Sequence, residues 1–242
     1  MTQMNIILLT ADDWLDDRVA VLTDRRHQHV RGVIKASTGD SLRVGLIDGE
    51  CGSGRVIMSN NCETRLEVTL DQPAPPRHPC DIVLALPRPK MLRRVLRTVA
   101  EMGVVNLHLI HSARVEKSFW QSPLLSKEKI RAALLAGLER SGDTRLPTVS
   151  LHHRFRPFVE DQLPELIDNR TCCIAHPNAE IGLDEQSSKA IIMLGPEGGF
   201  VPFEVELAQS IGARAVHLGQ RILSVDTAVT TALARTADLQ SA

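Results

Sequence analysis

Aromatic residues are scarce in this sequence. Its 242 residues include no tyrosine, five phenylalanines and two tryptophans. A hydrophobic core must therefore be aliphatic, and the apolar fraction of 43% is sufficient for a globular protein. So few rings also argue against an RNA-binding surface made of rows of stacking side chains.

Long apolar runs and targeting signals are missing as well. No apolar stretch of the sequence approaches the roughly 20 residues needed to cross a bilayer. Residues 1–9 have no basic segment ahead of their apolar run, so they fit a β-strand better than a signal peptide. We therefore expect a cytoplasmic protein with no membrane partner.

Cysteine is present without the spacing of a metal site. The five cysteines include the adjacent pair Cys172 and Cys173 but form no C-x-x-C motif, so a zinc site is not expected. We expect reduced, mostly buried thiols and no metal.

Positive charge is concentrated in one part of a nearly neutral chain. The net charge is −1, yet residues 77–131 contain eleven Lys and Arg against four Asp and Glu. Such a stretch fits either a surface that contacts RNA phosphates or an ordinary solvated helix face.

The first 71 residues have the pattern of a small β domain. Strands predicted at 41–47 and 55–58 flank an Asp-Gly turn, and apolar residues alternate with polar ones from Leu66 to Leu70. These features suggest a small barrel. Residues 72–79 contain four prolines, which predicts a stiff, extended linker.

A short helix is expected between the strands of this domain. Val30, Val33 and Ile34 would lie on one face of it, with Gly39 just beyond its end.

Strands and helices alternate over residues 80–242. Strands are predicted at 82–86, 104–110, 171–175, 191–194 and 215–218, and helices near 92–102, 126–140, 202–211 and 226–239. This alternation predicts an α/β domain with a parallel sheet covered on both faces. The helix near 92–102 places Arg93, Arg94 and Arg97 opposite its apolar side.

Two glycine-containing loops follow strands near the C-terminus. Residues 195–200 (GPEGGF) follow the strand at 191–194, and residues 218–224 (LGQRILS) follow the next strand. Loops at the carboxyl ends of parallel strands are where ligands bind, and glycine lets a ligand approach the main chain. A third loop, residues 176–178 (HPN), is expected to join them.

A nicotinamide or flavin dinucleotide site is the obvious competitor. Its glycine fingerprint belongs on the first strand–helix turn of a domain. Here the glycine loop begins too near the end of the sequence to leave room for a second mononucleotide-binding half.

Together, LGPEGGF at 194–200 and LGQRIL at 218–223 closely resemble the SPOUT methyltransferases. Within them, the sequence resembles the ribosomal small subunit methyltransferase E family, which makes N3-methyluridine in 16S ribosomal RNA. The likeness extends to Lys90, EMGV at 101–104 and SGDTRLP at 141–147.

The resemblance implies a PUA-like β-barrel RNA-binding domain at 1–71 and a SPOUT trefoil-knot domain at 80–242. It also implies a homodimer that acts on 16S ribosomal RNA in the small subunit.

The resemblance further implies an S-adenosylmethionine pocket formed by the three loops. The residues expected to bind this cofactor are His176, Pro177, Leu194, Gly195, Glu197, Gly198, Leu218, Gly219, Ile222 and Leu223. The expected catalytic residues are Arg221, which would stabilise charge on the uracil oxygens, and Glu197 and Asp226 as candidate bases. Contacts with RNA are expected from Arg25, Arg26, Arg31, Arg88, Lys90, Arg93, Arg94 and Arg97.

Three residues depart from the family pattern. Gln220, Ser224 and Asp226 stand where proline, arginine and glutamate are usual. Losing the arginine removes one expected phosphate or base contact. Two alternatives therefore stay open: a SPOUT enzyme with another RNA target, such as a ribose 2′-hydroxyl, and a non-catalytic RNA-binding homologue.

Overall fold

The computed structural model describes residues 5–183 and 189–237. It contains two compact units, which separate between Pro75 and Pro76, inside the proline-rich segment. Structure predicted for residues 1–4 and 238–239 lies outside the described residues.

The first unit is built on a five-stranded sheet with the strand order β1-β3-β4-β5-β2. Its β1 and β3 are parallel, and its other pairs are antiparallel. The turn predicted between β3 and β4 is present, with Asp48 at a positive φ of 61°. The elements are β1 (Ile7–Leu9), β2 (Val19–Leu22), α1 (Arg25–His29), β3 (Ser41–Leu46), β4 (Cys51–Ser59) and β5 (Thr64–Gln72).

The core of this unit is aliphatic, as the scarcity of aromatic residues predicts. Its fully buried side chains include Leu9, Leu22, Val44 and Leu66, and Trp14 packs against them from the edge. A β-strand pattern with one apolar face produces such a core because alternate side chains point the same way.

The predicted short helix begins earlier than expected. Helix α1 leads directly into a π-helical turn at Val30–Ile34. Val30 is buried, but Val33 and Ile34 are 44% and 39% exposed, so the apolar face predicted there is largely solvated.

The first unit also contains Ala136–Leu146, which the sequence assigned to the C-terminal domain at 80–242. The Thr144 hydroxyl donates to the Gly49 carbonyl at 2.6 Å, and the main-chain carbonyl of Thr144 accepts from the Asp48 N–H at 2.9 Å. The buried Glu139 carboxylate pairs with Arg25. These bonds satisfy polar groups that the sheet turns would otherwise leave unpaired. The grouping of this segment with the first unit differs from the continuous C-terminal domain predicted at 80–242.

The second unit contains a six-stranded sheet with the order β11-β9-β10-β6-β7-β8, parallel throughout. Its inner strands β6 and β10 are fully buried and, apart from Asp81 at the start of β6, apolar, as expected of a sheet covered on both faces. The strands are β6 (Asp81–Ala85), β7 (Asn106–Ile110), β8 (Thr148–His152), β9 (Cys172–Ala175), β10 (Ile191–Leu194) and β11 (Arg214–Val216). The helices are α2 (Pro89–Glu101), α3 (Lys127–Ser141), α4 (Phe155–Pro157), α5 (Leu163–Ile167), α6 (Pro202–Ser210) and α7 (Val225–Thr236). Residues 136–141 of α3 belong to the first unit.

Helices α2 and α7 pack against each other in this unit. The predicted apolar face of α2 is confirmed, since Leu92, Val95 and Val99 are buried. Val229 and Leu233 of α7 are also completely buried within the chain. No helix among the described residues is long and apolar enough to cross a membrane.

Candidate active site

The loops after β9, β10 and β11 surround a cavity of about 280 Å³. These three strands are neighbours in the sheet and run in the same direction, so their carboxyl ends open at one edge. That edge is where ligands bind in α/β proteins.

Every residue that the sequence predicted to bind a cofactor lines this cavity. Arg221, predicted to be catalytic, lines it as well. The lining side chains and backbone segments are those of Arg114, Ala175, His176, Pro177, Asn178, Leu194, Gly195, Pro196, Glu197, Gly198, Gly199, Phe200, Leu218, Gly219, Arg221, Ile222, Leu223, Val225 and Ala228. Arg114 lies far from these motifs in the sequence and was not predicted.

The loop after β10 is a tight turn that needs its glycines. The Gly199 N–H donates to the Pro196 carbonyl at 2.8 Å, and Gly199 has a φ of +72°, which side chains disfavour. A Cβ on Gly195 would lie 3.1 Å from the Phe200 nitrogen, too close for the loop to keep this path. Phe200 is buried and anchors the end of the loop.

The loop after β11 depends on the conformation of Gly219. Its φ of +127° is a glycine conformation, although a Cβ there would meet no atom within 4 Å. The Gly219 N–H donates to His217 Nδ1 at 3.1 Å, and His217 forms backbone bonds with Ile181 and Leu183. Beyond it, the Ile222 side chain is 89% exposed at the cavity.

A buried carboxylate joins two of the loops at this edge. Glu204, which is 2% exposed, accepts from the Ser112 hydroxyl at 3.1 Å, the Ala113 N–H at 2.7 Å and the Val201 N–H at 3.0 Å. It therefore caps helix α6 and fixes the loop that follows β7. A glutamate three residues after a helix start predicts the cap, but nothing local predicts its bonds to residues 112 and 113.

The loop fixed by Glu204 carries Arg114 to the cavity. The Arg114 guanidinium donates to the Gly198 carbonyl. Its stem crosses Gly198 so closely that a Cβ there would lie 3.0 Å from Arg114 Cδ. Gly198 thus lines the cavity, and its lack of a side chain also leaves room for the stem of Arg114.

Comparison with known proteins identifies the family. The model of the RNA methyltransferase domain matches residues 74–237. Ribosomal RNA small subunit methyltransferase E of Treponema pallidum is 30% identical, over 96% of this chain and 90% of that protein. This chain belongs to the ribosomal RNA small subunit methyltransferase E family.

Solved structures agree on the fold. The methyltransferase E of Neisseria gonorrhoeae, bound to S-adenosyl methionine, has a TM-score of 0.73 at 21% identity, over 96% of this chain and 95% of that one. A Legionella pneumophila protein in complex with its bound cofactor SAM has a TM-score of 0.74 at 19% identity, over 96% of each chain.

Of the two carboxylates predicted as bases, Glu197 lines the cavity and Asp226 is not among the lining residues. Asp226 Oδ1 accepts from the Ser224 hydroxyl at 2.6 Å and the Thr227 N–H at 3.1 Å. The Ser224 hydrogen bond, followed by those from Thr227 and Arg94, holds the pKa of Asp226 below its usual range. Asp226 lies in the first turn of α7, where these hydrogen bonds hold its carboxylate, and its role as a base stays a prediction.

The arginines and the lysine predicted to contact RNA fall into several environments. Arg26 is mostly buried and binds Asp13, Asp24 and the Leu8 carbonyl, which gives it a structural role, and its contact with RNA stays a prediction. Arg25 pairs with Glu139, and Arg31 donates to Asn61 at 3.0 Å.

On α2, Lys90, Arg93 and Arg94 are exposed, as is Arg88 just before the helix, whereas Arg97 is half-buried. Arg88 lies 3.9 Å from Glu197 and Arg94 lies 3.4 Å from Asp226, so two of these cations face carboxylates of the cofactor-loop region.

We expect Glu204→Ala to lower the free energy of unfolding by about 3 kcal/mol, because its donors are left without an acceptor in a buried site. Urea denaturation measures this value. Glu206→Ala is the matched control, since Glu206 is an exposed glutamate of the same helix and should change stability by less than about 0.5 kcal/mol. Equal stability of the two variants would contradict the structural role of Glu204.

Proposed function

We propose that this protein transfers the methyl group of S-adenosylmethionine to N3 of a uridine in 16S ribosomal RNA. The observation that carries the proposal is the convergence of all the predicted cofactor residues on a common cavity. Family membership supports ribosomal RNA of the small subunit as the substrate.

The cavity suits the cofactor in size and chemistry. Its volume of about 280 Å³ lies just below the range of roughly 300–1,000 Å³ typical of small-molecule sites. Leu194, Leu218 and Leu223 offer apolar contacts, while the glycine loops expose main-chain donors and acceptors. When bound, S-adenosylmethionine supplies an electrophilic methyl group on a sulfonium.

The chain's own residues must then make uracil N3 reactive. Neutral N3 carries a proton, and its removal spreads negative charge onto the two flanking carbonyl oxygens. Arg221 lines the cavity, and its guanidinium has no hydrogen bond or ion pair within residues 5–183 and 189–237. It is therefore available to stabilise that charge. Glu197 lines the cavity and Asp226 does not, which favours Glu197 as the proton acceptor.

Three further properties belong to this proposal through the family resemblance. They are a trefoil knot in the second unit, a PUA-like barrel formed by the first, and a homodimer. Phe203 and Ile222 are 52% and 89% exposed, so they offer apolar surface for contact between two subunits. Light scattering at micromolar concentration should give the mass of a dimer; a stable monomer with full transferase activity would exclude it.

Gly219→Ala should weaken S-adenosylmethionine binding at least tenfold in calorimetry. Alanine at a φ of +127° is strained, so the loop after β11 must move. Gly212→Ala is the matched control, since Gly212 also has a positive φ, +98°, with no atom near its added Cβ, and it does not line the cavity. Both variants should lose about 1–3 kcal/mol of stability. Unchanged affinity in Gly219→Ala, or binding of NADH in place of S-adenosylmethionine, would overturn the cofactor assignment.

Arg221→Ala should lower kcat for methyl transfer to 16S ribosomal RNA by about 100-fold or more, the loss typical of one removed charge-stabilising donor. Cofactor affinity should stay within threefold, since the contact forms as charge develops. Transfer of labelled methyl groups and calorimetry measure the two quantities. Gln220→Ala, an exposed neighbour that does not line the cavity, is the control and should keep its rate. An equally active Arg221→Ala would remove Arg221 from the mechanism.

A further inference from the structure

Arg114 is held at the cavity more firmly than an ordinary surface arginine. The backbone just before it is fixed by bonds from Ser112 and Ala113 to the buried Glu204 carboxylate. The far end of its side chain is fixed by the Gly198 carbonyl. Both ends of an exposed, flexible side chain are thus restrained, which removes much of the entropy that a ligand contact would otherwise cost.

The charges around the cavity distinguish Arg114 from its neighbours. Arg88 faces Glu197 and Arg94 faces Asp226, so these cations are partly neutralised within the chain. The hydrogen-bond partner of Arg114 is a neutral carbonyl, and no carboxylate pairs with it in the part of the chain that the structure describes.

The geometry of the guanidinium indicates which kind of group it binds. A guanidinium presents five N–H donors in a planar fork, and the bond to Gly198 leaves most of them free. Such a fork matches the oxygens of a phosphate. If a nucleobase reaches into the cavity, the phosphates attached to its ribose must remain outside, at the mouth, where Arg114 is exposed.

We infer that Arg114 contacts a backbone phosphate of the RNA beside the target nucleotide, an inference that rests on the proposed function. It makes Glu204 a positioning residue, because its carboxylate sets the loop from which Arg114 extends. A side chain at position 198 would push against the stem of Arg114, which passes close to that residue.

The salt dependence of RNA binding tests this contact. Each phosphate neutralised by a protein cation contributes about 0.7 to 0.9 to the slope of log K against log salt concentration. With a 16S ribosomal RNA transcript as the probe, Arg114→Ala should reduce the magnitude of that slope by about this amount. Arg114→Lys should keep the slope and bind more weakly than wild type, because it keeps the charge and loses the fork.

Arg156→Ala is the matched control. Arg156 is an exposed arginine of the same unit, paired with Glu160 at 2.8 Å and absent from the cavity lining, so its replacement should leave the slope unchanged. A merely structural role for Arg114 would change thermal stability without changing the slope.

The cofactor carboxylate is the other anion that could reach Arg114, and calorimetry separates the two. We expect the S-adenosylmethionine affinity of Arg114→Ala to stay within threefold of wild type. A wild-type salt slope in this variant, or a tenfold loss of cofactor affinity with unchanged RNA binding, would overturn the inference. A wild-type protein that transfers no methyl group would refute the proposed function instead, while the slope would still decide whether Arg114 contacts phosphate.

Discussion

Parallel pairing of β9, β10 and β11 is the constraint on which the candidate site depends. These strands span only three or four residues each, and their register places Ala175, Leu194 and Val216 at one edge of the sheet. The side chains of β10 and most of those of β9 are buried and apolar, whereas Val216 is the buried residue of β11. Because a slip of one residue would exchange the two faces of a strand, the core that fixes the fold also fixes where the loops meet.

Hydrogen bonds and glycine conformations outside the sheet then fix the position of the loops. The Glu204 carboxylate accepts hydrogen bonds from two loops. Gly199 and Gly219 adopt positive-φ conformations that other residues avoid. Arginines approach this edge from the segments after β6 and β7. Arg88 lies close to the Glu197 carboxylate, whereas Arg114 and Arg221 line the cavity without a carboxylate partner among the described residues. The site thus combines a pocket with uncompensated positive charge at its opening, which suits a small cofactor together with a polyanionic substrate.

The cofactor loops could be predicted from the sequence because glycines, strand ends and helix starts are local signals. Strand order is not local, so the approach of Arg114 to Gly198 could not be predicted. The same limit applies to Arg26, whose bonds to Asp13 and to the Leu8 carbonyl join residues distant in the sequence, and to Asp226, whose partner Arg94 is also distant. That residues 136–146 belong to the first unit could not be predicted either, because they bind residues distant in the sequence, such as Gly49.

The identity of the methylated nucleoside tests the central claim most directly. Small-subunit ribosomal RNA incubated with the protein and S-adenosylmethionine can be digested to nucleosides and analysed by chromatography and mass spectrometry. The account predicts N3-methyluridine, formed in an amount that depends on the protein and on the cofactor. A ribose-methylated nucleoside as the sole product, or cofactor binding with no methylated nucleoside at all, would contradict it.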